Sequence, residues 1–401
     1  MEKSELPEIN IGMVGHIDHG KTTLLSRLTG KFADTHSEEL KRGITIKLGY
    51  ADATIYEENG KYNLKKGRPI RYVSFIDTPG HEMLMATMLS GAAIIDAAIL
   101  VIAANEGIKP QTREHLMVLE AKKIENIIIV QNKIDLVSKE KALENYRKIK
   151  QFTKGTIAEN AEIIPISAQQ EINIDKLIET LTKLKIPKKD ISLEPIFLVA
   201  RSFDINRPGT EIKNLHGGVL GGILKQGTLK IGDEIEIKPG MIIKKAHDKI
   251  YQTLTTKIIS LYKGNQSVAQ VIPGTSISIE TNLDPILTKS DSLTGCIVSL
   301  KGKLPEITYN TKIKTKLFKE ILGTEDKNPV EPIKTKEMLM MSVNTTITVG
   351  IVEKIKNDTL NGASEIEVSL NIPIVALKGN NVGLARNLKG HWRLIGFGEI
   401  I

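Results

Sequence analysis

Through the first half of the chain, apolar runs of strand length alternate with amphipathic stretches of helix length. Ile9–Val14, Val73–Ile76, Ala98–Ala103, Ile127–Val130 and Ile163–Ile166 read as buried strands of a parallel sheet. Helical periodicity falls near Thr22–Leu28, His81–Ser90, Gln111–Lys122, Glu140–Phe152 and Ile174–Leu184. That alternation predicts a doubly wound α/β domain, with its ligand at the carboxyl ends of the strands. After a linker rich in Lys and Pro, IPKKDISLEP, the helical pattern ends. Short β-branched segments punctuated by glycine follow, as in HGGVLGGILKQGTLKIGDEIEIKPG. Roughly two hundred residues of this kind suit two small all-β barrels better than one. The expected domains are residues 1–190, 191–302 and 303–401, with the second break near Lys301–Pro305.

Residues with phosphate chemistry sit where the predicted elements would place a ligand. Gly15-His-Ile-Asp-His-Gly20-Lys21-Thr22 matches G-x-x-x-x-G-K-[ST], after a strand and at the start of a helix. Its backbone N–H groups and the helix amino terminus attract phosphate. Lys21 can neutralise the β and γ oxygens, and the Thr22 hydroxyl can ligate Mg²⁺. The nucleotide-binding set of this loop is Asp18, His19, Gly20, Lys21, Thr22 and Thr23. Asn132-Lys133-Ile134-Asp135 follows the strand IIIVQ, and Ser167-Ala168-Gln169 follows IIPI. The Asp135 carboxylate can accept both N1–H and N2–H₂ of guanine, donors that adenine lacks, and such a site rejects the wrong base by about 10⁴–10⁵. Lys133 lies along the base, and the Ala168 N–H can reach O6. Between these motifs, Asp77-Thr-Pro-Gly80-His81 supplies three roles. Asp77 holds the Mg²⁺ shell through water, the Gly80 N–H approaches the γ-phosphate, and His81 orients the attacking water as the catalytic group. Arg42-Gly43-Ile44-Thr45 follows the phosphate-loop helix, and Thr45 offers Mg²⁺ a second hydroxyl.

Composition narrows the setting. Apolar residues make up 41% and charged residues 25% of the chain, the balance of a soluble globular protein. No uninterrupted apolar run approaches roughly eighteen residues, so no membrane span is expected. The polar start MEKSELPEIN does not resemble a secretory signal, and the lone Cys296 fits a reducing, cytoplasmic location. Net charge is +8. Residues 1–195 hold 28 Lys and Arg against 27 Asp and Glu, whereas residues 196–401 hold 27 against 20. The surplus in the second half is compatible with a polyanionic partner and equally with a lysine-rich solvated surface.

Taken together, GHIDHGKTTL, KRGITI, DTPGH, NKID and SAQ resemble the translation GTPases of the elongation factor Tu class. The resemblance covers the whole chain and implies an α/β P-loop GTPase domain followed by two small all-β barrel domains. RGITIKLGYADA, TREHLMVLEA, ARSFDINRPGTEIKNLHGGVLGGILKQG and GHWRLIGFGEI are most similar to the gamma subunits of archaeal and eukaryotic translation initiation factor 2. That likeness implies a GTP/GDP- and Mg²⁺-dependent carrier of methionyl initiator tRNA to the small ribosomal subunit, working with alpha and beta subunits. It also implies a second cation position at Asp18 and the Gly43 carbonyl. Candidate tRNA contacts are Arg201, Arg207 and Lys225, which flank the family-like stretch. Two departures stand out. Residues 56–71 contain no cysteine where the family carries a zinc knuckle, and GKYNLKKGRPI reads as a shortened hairpin, so no zinc is expected. Thr78 occupies a position that is usually alanine in the family. Competing readings are an elongation-type aminoacyl-tRNA carrier and a metabolic GTPase of the sulfurylase-associated kind. Trp392 is expected in a barrel core, the pairs Gly217-Gly218 and Gly221-Gly222 at close backbone approaches, and Met338–Met341 in a buried strand.

Overall fold

The structure is a computed structural model that describes residues 6, 8–30, 48–78, 85–245, 248–321, 329–358 and 363–401. The chain forms two compact units. The first comprises Met1–Pro187 with Phe318–Val330 and Leu388–Ile395, and the second comprises Lys188–Leu317, Glu331–Asn387 and Gly396–Ile401.

In the first unit, a seven-stranded sheet has the order β3-β2-β4-β1-β5-β6-β7. The strands are β1 (Glu8–Gly15), β2 (Gly49–Glu58), β3 (Lys61–Asn63), β4 (Arg68–Asp77), β5 (Ala97–Ala103), β6 (Asn126–Asn132) and β7 (Glu162–Pro165). Strand β1 runs parallel to both β4 and β5, β5 parallel to β6, and β6 parallel to β7. The five predicted apolar runs all fall on strands of this sheet, and their residues are buried apart from Pro165 at the end of the edge strand β7. Around it lie α1 (Lys21–Thr29), α2 (Met85–Gly91), α3 (Pro110–Ala121), α4 (Lys139–Thr153) and α5 (Ile174–Lys183). Helix α1 turns Leu24, Leu25 and Leu28 into the core. It stops at Gly30, whose left-handed backbone donates N–H to Ser26 O. One expectation changes here. GKYNLKKGRPI is not a hairpin of two paired strands, because β3 pairs back on Tyr56–Glu58 of β2 and β4 pairs along the opposite edge of β2.

In the second unit the pattern switches to period two. Strands β8 (Ile196–Phe203), β9 (Val219–Gln226), β11 (Glu234–Lys245), β12 (Asp248–Lys263), β15 (Ile277–Thr281) and β16 (Ile297–Leu300) follow the order β11-β16-β8-β9-β15-β12. Pairing of β11 with β12 closes the ring. Short strands β10 (Leu229–Lys230), β13 (Gln266–Val268) and β14 (Gln270–Val271) decorate it. Its core is Phe197, Val199, Leu220, Leu224, Ile235, Ile258, Ile279 and Val298. A second closed barrel, whose Leu388–Ile395 stretch belongs to the first unit, has the order β17-β20-β19-β18-β21-β22. Its strands are β17 (Ile307–Leu317), β18 (Met338–Val343), β19 (Thr346–Asp358), β20 (Ala363–Val375), β21 (Asn381–Leu388) and β22 (His391–Ile400). Every pairing in both rings is antiparallel, as closed small barrels allow.

Close approach accounts for both Gly217 and Gly218, on which a Cβ would lie 1.8 Å from Thr281 O and 2.5 Å from Thr288 Cγ2, respectively. It accounts for only one of the pair Gly221-Gly222, since nothing lies nearer than 3.5 Å to a Cβ on Gly221. A Cβ on Gly222 would lie 1.9 Å from the Leu198 carbonyl oxygen across the β8–β9 ladder. In β18, Leu339, Met340 and Met341 are buried as expected, while Met338 faces solvent. Trp392 corrects its expectation: it is half-buried, and the next residue of β22, Arg393, is the buried one.

Candidate nucleotide site

The phosphate loop leaves the carboxyl end of β1, the central parallel strand at which connections pass to either side of the sheet. Gly20 caps α1 with φ 88°, a left-handed conformation that favours glycine. A Cβ there would also meet the Asn132 amide nitrogen at 2.4 Å. Asp18 takes φ 58° and is exposed, whereas His19 is fully buried. Lys21 is buried, and its ammonium donates to Gly15 O at 3.1 Å and His16 O at 2.9 Å, bracing the loop from within. Thr23 follows in the first turn of α1.

Thr22 and Asp77 meet. The Thr22 hydroxyl donates to Asp77 Oδ2 at 2.8 Å, joining the phosphate loop to the end of β4. Thr78 next to it donates from its own hydroxyl to Met13 O at 2.7 Å, which seats the residue in the wall of β1. The remaining expected γ-phosphate and cation residues, Gly43, Thr45, Gly80 and His81, lie outside the described residues.

The base-reading loops are tied to the phosphate loop by one side chain. Asn132, buried at the end of β6, donates to His19 O at 2.9 Å and accepts from the Ala168 N–H at 3.0 Å. Its amide therefore works as a bracket between three motifs rather than as an open ligand. Lys133 takes a left-handed backbone, φ 60°, and its ammonium lies 3.7 Å from Glu106. Asp135 is exposed in the following turn. Ser167 is buried and its hydroxyl accepts from Gln170 N, while Gln169 is exposed.

Three residues of this framework escape reading from motif strings. The Gly15 N–H donates to Nδ1 of His115 at 2.8 Å, so helix α3 anchors the first glycine of the phosphate loop. Burial pushes the His115 pKa down to about 3 and that of His19 down to about 4. Both rings are thus neutral, and His115 keeps the lone pair that the Gly15 N–H needs. Adjacent to His115, the buried Glu114 accepts from Arg393 at 2.7 Å, within the same unit. Arg27, at the far end of α1, donates to the carbonyls of Ala168 and Gln169. The only hint of His115 and Glu114 in the sequence is their place in TREHLMVLEA.

The proposed tRNA contacts fare unevenly. Arg201 is engaged with Asp291, Nε to Oδ1 at 2.9 Å. Arg207 and Lys225 are exposed, the latter on β9. Among the described residues, no helix is long and apolar enough to cross a membrane.

Comparison with known proteins bears on the whole chain. The family described as "Elongation factor Tu GTP binding domain" matches residues 6–187, and "Initiation factor eIF2 gamma, C terminal" matches residues 309–400. The chain is 50% identical to translation initiation factor 2 subunit gamma of Methanocaldococcus jannaschii, covering 100% of this chain and 98% of that one. It is 52% identical to the protein of that description from Pyrococcus furiosus, over 99% and 98%, and 50% identical to that of Thermoplasma acidophilum, over 99% and 98%. Among solved structures, a bacterial selenocysteine-specific elongation factor superposes with a TM-score of 0.77 at 24% identity. That match covers 98% of this chain but only 58% of the longer protein. Elongation factor SelB from Methanococcus maripaludis, in complex with the GTP analogue GppNHp, gives 0.74 at 24% identity, over 98% and 79%. These last two speak to fold alone. The full-length identities, together with the phosphate and base motifs, place the chain in the translation initiation factor 2 gamma-subunit family, as a translation GTPase of initiation.

Proposed function

We propose that the protein binds methionyl initiator tRNA in its GTP state, delivers it to the small ribosomal subunit and releases it on hydrolysis. It does so as one subunit of a larger factor, beside alpha and beta subunits, in the cytoplasm. What carries this reading is identity of about half over the full length, both barrels included, to proteins described as gamma subunits of an initiation factor.

In the same reading Asp18, His19, Gly20, Lys21, Thr22, Thr23 and Gly80 surround the phosphates, and Asn132, Lys133, Asp135, Ser167, Ala168 and Gln169 surround the guanine. A hydroxyl and a carboxylate brought together as Thr22 and Asp77 are form a hard, all-oxygen donor set that suits Mg²⁺, which keeps several waters and leans on substrate phosphates. Bound there, the ion supplies charge to neutralise the β and γ oxygens. Thr22 and Thr45 offer it hydroxyls, Asp77 holds its water, and Asp18 with Gly43 form the second cation position. His81 positions the attacking water. Arg207 and Lys225 are exposed and fall in the half of the chain with the positive surplus, which supports their use against a polyanion. Arg201 enters the interface only by releasing or sharing Asp291.

The test is tRNA affinity measured with a GTP analogue and with GDP over a salt series. Tighter binding with the analogue is expected, and by linkage tRNA must then tighten GTP binding by an equal factor. Each phosphate-contacting cation should add about 0.7–0.9 to the slope of log affinity against log salt. Arg207→Ala and Lys225→Ala should each flatten that slope by about this amount. Equal affinity in both nucleotide states, with no salt slope, would remove the carrier reading.

A further inference from the structure

The loop after β7 is held through its backbone from two sides. Ser167 and Ile172 exchange backbone hydrogen bonds at 3.2 and 3.0 Å, closing residues 167–172 into a tight turn. Asn132 accepts from the Ala168 N–H. From the other side comes Arg27, seven residues beyond Gly20 on the helix that begins at the phosphate loop. Its Nε donates to Ala168 O at 3.2 Å, its Nη2 to Gln169 O at 3.4 Å, and its Nη1 to Glu171 Oε1 at 3.0 Å. A guanidinium offers donors in a fixed planar fork, so it fixes direction as well as distance.

The consequence lies in one peptide unit. The Ala168 carbonyl and the Gln169 N–H are opposite ends of a planar trans amide. Holding the carbonyl toward α1 therefore aims the Gln169 N–H away from α1. Among the described residues that N–H has no acceptor within the protein, whereas the Ala168 N–H is already committed to Asn132. A guanine read by Asp135 still presents its O6, an acceptor that needs a donor. We infer that Arg27 is a positioning residue for base recognition, which pins the Ala168 carbonyl so that the Gln169 N–H meets O6 of the guanine. The inference rests on the guanine-site reading above and adds to it a residue that lies outside every nucleotide motif of the chain. It also makes α1 a single strut, phosphates at one end and base loop at the other.

The experiment compares GDP with 6-thio-GDP on the full chain. The thio analogue keeps both donors for Asp135 and replaces O6 by sulfur, a weak acceptor. The wild type should prefer GDP. Arg27→Ala should weaken GDP about three- to tenfold, the scale of one lost net hydrogen bond, while 6-thio-GDP changes little, so the preference shrinks. Glu171→Ala, which removes only the exposed ion pair, should keep the preference. A general loosening of the loop would weaken both nucleotides alike, and an unchanged GDP to 6-thio-GDP ratio in Arg27→Ala overturns the inference. Arg27→Gln, which retains a single amide donor, serves if Arg27→Ala does not fold. A separate arm guards the underlying site: Asp135→Asn should move preference from GDP to XDP. Continued selection of GDP by that variant would sink the base-site reading, and this inference with it.

Discussion

Two regions of the molecule bury polar side chains for different ends. Around the nucleotide site, Asn132, Lys21 and His115 hold backbone groups of loops that a ligand must find in place. In the second unit, the nearly fully buried Lys238 donates to Leu304 O, Pro305 O and Glu306 Oε1 at 3.2, 3.2 and 3.1 Å. Its partner Glu236, equally buried, accepts from Leu304 N at 2.6 Å. There the polar cluster grips the chain where β16 gives way to β17. In the first region burial prepares a surface for binding, and in the second it fixes a connection.

The largest expected effect tests the second of these. Lys238→Met leaves Glu236 buried without that ammonium, which typically costs about 3–5 kcal/mol, whereas the pair exchanged for apolar residues is close to neutral. Lys238→Met should therefore lower the calorimetric transition of the second unit sharply, and Lys238→Met with Glu236→Leu should restore most of it. Nucleotide affinity should stay within about twofold, since no residue of this cluster belongs to a nucleotide motif and effects at independent sites add. A double variant as unstable as the single one would show that the cluster is a packing feature and not a charge lock.

Asn132→Ala probes the other region. It removes a donor to His19 O and the acceptor of the Ala168 N–H. With each net hydrogen bond worth about 0.5–1.5 kcal/mol and the stranded groups costing more, a loss of about 2–3 kcal/mol of nucleotide affinity is expected. Equilibrium binding of a fluorescent GDP analogue measures it. Affinity within threefold of wild type would mean that the three loops hold their places without the bracket.

How much of this was legible follows from the same contrast. The P-loop string, NKID and SAQ announce their chemistry because phosphate and guanine demand fixed residue types at fixed positions. The parallel strands were legible because double-sided burial writes an unbroken apolar run. Asp77 and Thr22 could be paired on paper for the same reason, and the structure brings them together. His115, Arg27 and Lys238 could not, because each acts on a backbone carbonyl or N–H, and such partners leave no trace in residue identity. The local error at Trp392 has a related cause. Period-two alternation does not say which face is covered, and an Arg393 buried against its partner Glu114 defeats the rule that the aromatic side chain is the buried one.

Acid should separate the two regions by a similar margin. The buried histidines among the described residues, His19 and His115, both belong to the first unit, with pKa values held by burial at about 4 and about 3. Unfolded, each would titrate near 6.5. A folded pKa below the unfolded one means that the unfolded chain binds more protons as pH falls. Stability is therefore complete above about pH 6.5 and declines below it, levelling only near the folded values. Between pH 7.5 and 5.5 the two rings together should cost about 2–3 kcal/mol. Calorimetry over that range should show the transition of the first unit falling more than that of the second, and His115→Asn should recover about half of the difference. Parallel decline of both transitions would rule out these rings as the cause.

The smallest effect concerns Thr78, the position where the family usually has alanine. Its hydroxyl donates to Met13 O at 2.7 Å, but its own backbone N–H approaches the same oxygen at 3.3 Å. Removing the hydroxyl thus does not orphan the Met13 carbonyl, and the penalty for an unsatisfied acceptor is avoided. What is lost is one net hydrogen bond, about 0.5–1.5 kcal/mol, together with a methyl group that lies 3.3 Å from where a Cβ on Gly91 would sit. Thr78→Ala should lower the transition of the first unit by a few degrees at most and leave GTP affinity and Mg²⁺ dependence unchanged, because Asp77 is held by Thr22 and not by Thr78. A marked change in the Mg²⁺ dependence of GTP binding would show instead that the hydroxyl sets the orientation of Asp77. In that case the comparison would sharpen further, since a residue outside the usual family pattern would be shaping the ion site from the wall of β1.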